Sequence, residues 1–180
     1  NIFSDIQKAD TSWNVICLRY FNPMGAHQSG LIGEAPRACP DNLMPLLMSA
    51  AAGASDPLKV FGGDYATRDG SAIRDFIHVV DLALAHVAAV KKITEKVGFK
   101  VVNVGTGKGY SVFEVIDAFE KTNNIKVPLE VVDRRVGDVA VSLADVEFAK
   151  TFLSWRSQFG LNEMCRDSWN WRRNNPNGYR

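Results

Sequence analysis

The chain has 180 residues, 46% of them hydrophobic, and its 21 basic and 20 acidic side chains leave a net charge of +1. A chain of this size and apolar content can bury about 70% of its unfolded surface, which predicts one globular domain and excludes a disordered polyelectrolyte. The charge balance provides no general attraction to nucleic acid or to an anionic membrane, so neither is an expected partner.

Three cysteines, Cys17, Cys39 and Cys165, are widely spaced and form no CxxC pair. None of them stands at metal-ligand spacing from a histidine, so the sequence predicts no metal site and favours a reducing compartment. It contains no apolar run long enough for a membrane span and no signal-peptide pattern. The opening residues lack a Met and read as the latter part of a helix over 1–10, from which we expect a fragment of a longer protein.

The unbroken apolar run Val15–Leu18 predicts a parallel strand that is buried on both faces. This strand is expected to end near Asn22, because Pro23 provides no backbone donor and disfavours helical angles in the residue before it. Two aromatic residues and an amide, at positions 20–22, therefore stand at the carboxyl end of a strand. Open α/β sheets bind their ligands at that end.

A long loop over 28–41, rich in Gly and Pro, follows this strand, and its length favours a functional role. Asn42 is a predicted N-cap for an apolar helix over 43–52. Asp81 is the predicted cap of a helix over 82–93, and Ser111 with Glu114 forms a capping box for the helix after it. The other predicted elements are strands over 58–61, 73–79, 100–104 and 127–132, a helix from Asp145 to about 153, and a last helix with a core-packing apolar stripe.

The glycine-rich segment Gly105–Gly109 follows a predicted strand and precedes a helix, as a dinucleotide fingerprint would. Tyr110 stands at the third glycine position of that pattern, where a side chain blocks close backbone approach. The segment also lacks the spacing of a P-loop. We therefore interpret it as a tight turn, and the chain contains no Tyr-x-x-x-Lys pair.

The arginines indicate a possible anion site. Arg74 lies on a short strand and Arg135 follows another, so their planar guanidinium groups could converge on a diphosphate. The helix N-terminus at Asn42 adds a partial positive charge. The alternative interpretation is surface ion pairing with Asp75 and Asp138.

Two aromatic positions have both a structural and a functional interpretation. Phe61, at a strand end, could stack on a planar base while the Lys59 and Phe61 backbone binds its edge, although a Phe in this place is commonly part of the core. His78 stands between two aliphatic residues, which is more typical of a satisfied buried histidine than of a catalyst.

Several blocks together carry a close resemblance to the UDP-glucose 4-epimerase (UDP-galactose 4-epimerase) family of the extended short-chain dehydrogenase/reductase superfamily. The resemblance extends over all 180 residues, but the family is about twice this length, so the chain resembles its carboxyl-terminal half. The matching blocks are Leu18–Pro23, Gly25–His27, Asn42–Pro45, Tyr65–Gly70, Arg74–Val79, Asn103–Gly107, Arg134–Asp138 and Asn175–Tyr179.

The resemblance implies an α/β fold: the C-terminal part of an NAD(P)-binding Rossmann-fold enzyme, mostly its smaller mixed α/β substrate-binding domain plus a few strands of the parallel sheet. Residues 1–24 are expected to end the NAD-binding domain, with the strand 100–106 returning to it. Residues 25–180 are expected to form the UDP-sugar domain.

The implied reaction is the NAD-dependent interconversion of UDP-glucose and UDP-galactose, by C4 oxidation, rotation of the 4-keto sugar and reduction. In the family, the NAD loop and the catalytic Tyr and Lys lie in the other half, so this chain alone is expected to be inactive and to contain no catalytic residue. The resemblance also implies a cytoplasmic enzyme of galactose metabolism that forms a homodimer at full length.

The resemblance assigns the site residues as follows. Tyr20, Phe21 and Pro23 would lie at NAD, and Asn22 at the sugar-nucleotide. The remaining implied substrate-binding residues are Asn42 and Leu43 at the pyrophosphate end, Lys59, Val60 and Phe61 at the uracil, Arg74 and Arg135 at the diphosphate, Asp138 at the ribose and Ser142 at the sugar.

Two positions bear on substrate binding. Asp41 stands where the family usually has Asn, and an extra acid beside a diphosphate is expected to weaken binding slightly. Ser142 stands where the family has either Tyr or a small residue, and its small side chain leaves room for an N-acetyl group, as in UDP-GlcNAc and UDP-GalNAc. The alternatives are a non-catalytic UDP-sugar binding module and another nucleotide-sugar dehydratase or decarboxylase of the superfamily.

Overall fold

The computed structural model describes residues 2–36 and 40–179, so a prediction that rests on Cys39 lies outside the described residues. The elements follow in the order α1 (Ile2–Ala9), β1 (Val15–Tyr20), β2 (Asn22–Met24), α2 (Leu43–Ala51), β3 (Leu58–Phe61), β4 (Ile73–Arg74), β5 (Phe76–His78), α3 (Val79–Lys92), a 3-10 turn (Ile93–Glu95), β6 (Phe99–Val104), β7 (Tyr110–Ser111), α4 (Val112–Asn123), β8 (Leu129–Val132), β9 (Val141–Ser142), α5 (Glu147–Phe152) and α6 (Leu161–Asn174).

Most strand pairs are parallel, as an α/β fold requires. β1 pairs with β6, β2 with β5, and β3 with β8, all in parallel. The central strand β4 is antiparallel to β7 and parallel to β9. This mixture of mostly parallel pairs with helices between them confirms the predicted mixed α/β class.

Two hydrophobic cores hold these elements together. The first lies among α2, β3, α4 and α6, where Leu47, Val60, Phe119 and Met164 are at most 1% exposed. The second packs α3 and α5 against β6. The apolar stripe of α6 belongs to the first core, with Trp169 edge-on to Phe119 at 5.6 Å, so its interpretation as core packing is confirmed.

The first strand ends close to its predicted end but is less buried than predicted. It is half-buried at 15–18 and exposed at 19–20, because within the described residues it pairs with β6 alone. β1 ends at Tyr20, near the predicted end at Asn22. Pro23 does not exclude strand structure, however: the chain forms the separate short strand β2 through Pro23, which pairs with β5 in another sheet, and a short edge strand tolerates a residue without an N–H.

The region around α3 also corrects the prediction. The predicted strand over 73–79 is split at Asp75, and α3 begins at Val79 because the Nδ1 atom of His78 accepts the Val80 N–H at 3.1 Å. Asp81 is therefore not the cap. Its buried carboxylate instead accepts the N–H groups of Gln158 and Phe159, both at 2.9 Å.

Within residues 2–36 and 40–179, no helix is both long enough and apolar enough to cross a bilayer. The same residues contain no group of three or more His, Cys, Asp or Glu side chains that could hold a metal ion.

Candidate functional site

A cavity of about 190 Å³ lies where β2, the start of α2, β3 and the segment after β8 meet. Its walls are mainly apolar, with a few charged groups at one side. All the predicted site residues except Tyr20, Phe21 and Ser142 line it: Asn22, Pro23, Asn42, Leu43, Lys59, Val60, Phe61, Arg74, Arg135 and Asp138. Residues that are far apart in sequence therefore meet in one concave site of the kind that binds small molecules.

The start of α2 forms one side of this cavity. Asn42 has the extended conformation of an N-cap (φ −81°, ψ 148°), but its side chain makes no capping hydrogen bond. Its Nδ2 donates instead to Glu34 Oε1 at 3.0 Å. The first backbone N–H groups of the helix thus keep the donor capacity and partial positive charge that favour an anion.

Arg74 is the more buried of the two cavity arginines. Its side chain is 15% exposed, and its Nη1 donates to the carbonyl of Ile73 at 2.8 Å. Its Nη2 forms an ion pair with Asp138 Oδ1. The alternative interpretation is therefore confirmed for Asp138 and wrong for Asp75, whose carboxylate accepts hydrogen bonds from the turn after β6.

Arg135 lies over the face of Phe61, with its guanidinium carbon 4.0 Å from the ring centroid. The same group is 3.3 Å from Asp41 Oδ1. The neighbouring Arg134 also contacts one ring and one carboxylate, but different ones. Its guanidinium carbon is 4.2 Å from the centroid of the Tyr65 ring, and its Nε is 2.7 Å from Asp64 Oδ1. Arg134 does not line the cavity, so only Arg135 joins Arg74 there.

The strand β3 provides the third side. It pairs along one edge with β8, and among the described residues its other edge has no strand partner. Lys59 and Phe61 line the cavity and are not fully buried. Their backbone groups and the Phe61 ring are suited to a planar heterocycle, which needs both an edge and a face contact.

The glycine-rich turn after β6 does not bind phosphate through its amides. The N–H groups of Thr106 and Gly107 already donate to the Asp75 carboxylate, at 2.8 and 2.9 Å. The turn leads directly into β7 and the capped start of α4. Its interpretation as a tight turn is confirmed.

His78 is a satisfied buried histidine, as its pattern predicted. It is 1% exposed, with Nδ1 accepting from Val80 and Nε2 lying 3.3 Å from Asp167 Oδ2. Burial lowers the pKa of its imidazole below the ordinary value of 6.5, although the Asp167 carboxylate opposes that shift. Because both nitrogens of the neutral imidazole already have hydrogen-bond partners, neither is available for catalysis.

The three remaining predicted residues lie outside the cavity lining. Tyr20, at the carboxyl end of β1, is 54% exposed, and the Phe21 N–H donates to the Val104 carbonyl at 3.0 Å. Ser142 lies on β9 opposite Arg74, and its carbonyl accepts from the Asp75 N–H at 3.1 Å. The site residues thus form a cavity group and a pair, Tyr20 and Phe21, at the end of the β1–β6 pair, while Ser142 lies by itself on β9.

Sequence reasoning missed Glu34, which lines the cavity and holds the Asn42 amide. Its backbone carbonyl accepts the indole N–H of Trp171 at 3.1 Å, so α6 holds it in place. No local pattern indicates this role, because the contacts join segments that are far apart in the chain.

A family model for the NAD dependent epimerase/dehydratase family matches residues 2–105. The chain is 51% identical to mouse UDP-glucose 4-epimerase over 175 residues, which is 97% of this chain and 50% of the relative. It is 52% identical to the Neisseria meningitidis serogroup C UDP-glucose 4-epimerase over 178 residues, 99% of this chain and 52% of the relative.

Solved structures agree. The Bifidobacterium longum UDP-glucose 4-epimerase in complex with NAD+ and UDP matches with a TM-score of 0.94 and 47% identity, over 99% of this chain and 53% of that one. The Stenotrophomonas maltophila UDP-glucose-4-epimerase with bound NAD and formylated UDP-arabinopyranose matches with a TM-score of 0.93 and 46% identity, over 96% and 52%. The chain spans about half the length of the curated relatives it matches, and it belongs to the NAD dependent epimerase/dehydratase family.

Proposed function

We propose that this chain is the UDP-sugar-binding part of a UDP-glucose 4-epimerase, which interconverts UDP-glucose and UDP-galactose with NAD. The observation that carries this proposal is the convergence of two arginines, an uncapped helix N-terminus and Phe61 on one cavity. Relatives about 50% identical to the chain are UDP-glucose 4-epimerases, and one solved structure contains both NAD+ and UDP.

In the proposed complex, the diphosphate lies between the guanidinium groups of Arg74 and Arg135 and the first N–H groups of α2. Both arginines pair with carboxylates in the present structure, Arg74 with Asp138 and Arg135 with Asp41. A diphosphate replaces Asp41 at Arg135, because two phosphate groups offer more charge and a better bidentate geometry than one exposed carboxylate.

The remaining contacts belong to the nucleoside and the sugar. The uracil stacks on Phe61 and binds the backbone of Lys59–Phe61, and Asp138 accepts hydrogen bonds from the ribose. Leu43 packs near the pyrophosphate end, and Asn22 reaches the sugar from β2. Strong binding at the nucleotide leaves the sugar free to rotate between the two hydride-transfer orientations.

The NAD side involves the carboxyl end of β1. Tyr20 and Phe21 stand there beside the end of β6, the position at which parallel sheets bind dinucleotides. Bound NAD supplies the hydride chemistry. This chain contributes an exposed aromatic side chain and the edge of Pro23 to one side of that site, and the catalytic Tyr and Lys come from residues outside these 180.

The proposed division of the chain follows from this arrangement. Residues 1–24 and the strand 100–106 lie on the NAD side, and 25–180 form the UDP-sugar side. The pairing of β1 with β6 in a sheet of their own supports this division, and α3, which belongs to 25–180, packs against that pair. We propose that the full-length enzyme is a cytoplasmic homodimer, for which the free thiols of Cys17 and Cys165 fit a reducing compartment.

We also propose that UDP-N-acetylhexosamines are accepted. Ser142 lies opposite Arg74 in the β4–β9 pair, and a Ser at this position is expected to leave room for the N-acetyl group where a Tyr would not. In the full-length enzyme, Ser142→Tyr should lower turnover of UDP-GlcNAc much more than turnover of UDP-glucose. Unchanged UDP-GlcNAc turnover would contradict this part of the proposal.

A second candidate is a non-catalytic UDP-sugar binding module, a role for which the described cavity would be sufficient by itself. The candidates are separated by incubating the full-length protein with NAD and, in separate reactions, with UDP-galactose, UDP-glucose or UDP-glucuronate. Conversion of UDP-galactose to UDP-glucose supports the epimerase, and a 4-keto-6-deoxy or decarboxylated product indicates another enzyme of the superfamily. Binding without turnover of any of the three supports the module.

A further inference from the structure

Asp75 is a fully buried carboxylate between two cavity residues, Arg74 and Phe76, yet it does not line the cavity. Its Oδ1 accepts from the Thr106 N–H at 2.8 Å and the Thr106 hydroxyl at 2.7 Å. Its Oδ2 accepts from the N–H groups of Gly107 at 2.9 Å and Ala144 at 3.2 Å. The two oxygens therefore join the turn after β6 to the segment after β9.

The backbone of Asp75 extends this connection to the site. Its carbonyl accepts the Asn22 N–H at 3.0 Å, and its N–H donates to the Ser142 carbonyl at 3.1 Å. Asp75 is thus bonded to the strand that carries Asn22 and to the strand that lies beside Arg74. Every polar group of this residue takes part in a hydrogen bond, and together these bonds join three segments: β2, the turn after β6, and β9 with the residues after it.

Gly105 shows how closely the turn is fitted to this carboxylate. A Cβ atom at Gly105 would lie 2.6 Å from Asp75 Oδ2 and 2.6 Å from the Ala144 Cβ, both far inside van der Waals contact. Only glycine allows the turn to sit on the carboxylate. The glycine-rich segment is therefore shaped to contact the Asp75 carboxylate closely.

We propose that Asp75 is the positioning residue of the UDP-sugar site: it orients Arg74 toward the diphosphate and Asn22 toward the sugar without touching the ligand. This inference rests on the function proposed above. The Arg74 side chain contacts the Ile73 carbonyl on β4 and the carboxylate of Asp138, which lies just before β9. The direction of its guanidinium group therefore depends on how β4 is held beside β9. Asp75 is the residue that anchors the end of β4 to the segment after β9.

The chain contains a control for the loss of a buried negative charge. Asp81 is also fully buried, and its Oδ2 accepts two backbone N–H groups, those of Gln158 and Phe159. It does not line the cavity, and its contacts join α3 to the segment before α6. Asp81→Asn therefore neutralises a buried carboxylate away from the site while keeping an oxygen that accepts both bonds, since its Oδ1 has no partner among the described residues.

The experiment compares the wild type, Asp75→Asn and Asp81→Asn by hydrogen exchange and by calorimetric titration with UDP and with uridine. Asp75→Asn places an amide donor opposite the Gly107 and Ala144 donors or the Thr106 donors, so one pair loses its acceptor. We expect the Asn22 amide to lose at least tenfold in protection, and the UDP affinity to fall tenfold or more while the uridine affinity changes little. Asp81→Asn should leave both binding constants and the Asn22 amide at wild-type values.

Thr106→Val provides a milder variant, since it removes one of the four donors and keeps the carboxylate. It should change the same two quantities in the same direction by a smaller factor. An unchanged Asn22 amide in Asp75→Asn, or equal losses of UDP and uridine affinity, would overturn the inference. If the wild type does not bind UDP, the proposed function fails, and the protection of the Asn22 amide still decides whether Asp75 positions these segments.

Discussion

Arg134 and Arg135 are adjacent in the sequence, but their guanidinium groups stack on different aromatic rings, those of Tyr65 and Phe61. Only Arg135 lines the cavity. Arg135→Ala should weaken UDP binding by about tenfold, since a partly exposed charge-assisted contact is worth about 1.4 kcal/mol. Isothermal titration calorimetry measures the loss.

Arg134→Ala removes the same charge from the neighbouring position and serves as the control. It should leave UDP affinity within about twofold of the wild type, because surface charges contribute little beyond their contacts. Equal effects of the two substitutions would show that net charge, and not a specific contact, governs binding.

Asp41 competes with the ligand for Arg135. Its side chain is 89% exposed and lies 3.3 Å from the guanidinium group. Asp41→Asn should tighten UDP binding by about two- to threefold, since it removes an exposed ion pair and a like charge beside the diphosphate. The gain should shrink as salt is raised from low to physiological ionic strength, because salt screens the repulsion. A loss of affinity in Asp41→Asn would mean that this carboxylate contacts the ligand directly.

The residue types at this site could be predicted from the sequence, and Asp138 was one of two suggested ion-pair partners, but the choice between the two required the structure. Arginine, a helix N-terminus and a strand-end Phe are recognisable as groups that bind a nucleotide. That Arg74 pairs with Asp138, and not with the adjacent Asp75, depends on β4 lying beside β9. Glu34 was missed for the same reason, since its role exists only once α6 and α2 are in place.

At the scale of elements, α4 begins with the Ser111–Glu114 capping box that the sequence predicted. Ser111 accepts the Glu114 N–H at 3.1 Å, and the Glu114 carboxylate accepts the Ser111 N–H at 2.9 Å. Ser111→Ala should lower the free energy of unfolding by about 1–2 kcal/mol, because the helix loses its cap and the buried hydroxyl also donates to Asp69. Urea unfolding with an unchanged m-value measures this. Ser55→Ala, in an exposed turn, should cost less than about 0.5 kcal/mol.

The start of α3 makes stability depend on pH. Burial lowers the pKa of His78, while Asp167 and Asp81 favour its charged form and Arg166 disfavours it. In the unfolded chain His78 takes up a proton near pH 6.5, whereas in the folded protein it does so only at a lower pH. As the pH falls below about 6.5, the unfolded state therefore binds more protons than the folded state. The stability is therefore complete above about pH 6.5 and decreases as the pH falls toward the lowered pKa of the folded state.

Thermal unfolding between pH 7.5 and 5.5 tests this expectation. His78→Gln should be less stable than the wild type at pH 7.5, because the cap of α3 is altered, but its melting temperature should depend less on pH. His27→Gln, at an exposed position, should keep the wild-type slope. A slope unchanged by His78→Gln would assign the pH dependence to another group.

The element boundaries show where local signals are sufficient. The capping box of α4 and the Gly53 end of α2 (φ +65°) are short-range features, and both elements agree with their predictions within one residue. The start of α3 was wrong because His78, an uncommon cap, displaced the expected Asp81. The burial of β1 was wrong because a strand's neighbours are not encoded in the strand itself.

At the scale of the whole molecule, two cores divide the chain into a layer around β1 and β6 and a layer around the cavity. The overall α/β class was implied by the family resemblance, and the comparisons assign the chain to the NAD dependent epimerase/dehydratase family. Arg74 and Arg135 are 61 positions apart in the sequence, and their convergence was an expectation. The structure shows that both line the same cavity. The contacts that set their orientation arise from pairings such as β4 with β9, which no sequence window contains.

The most direct measurement is a calorimetric titration of the 180-residue chain with UDP, followed by incubation with NAD and UDP-galactose. The account predicts a saturable 1:1 isotherm that Arg135→Ala weakens and Arg134→Ala preserves, with no conversion of UDP-galactose to UDP-glucose by the chain alone. Absence of UDP binding to the folded chain, or binding that neither arginine affects, would contradict the claim that these residues form the UDP-sugar site.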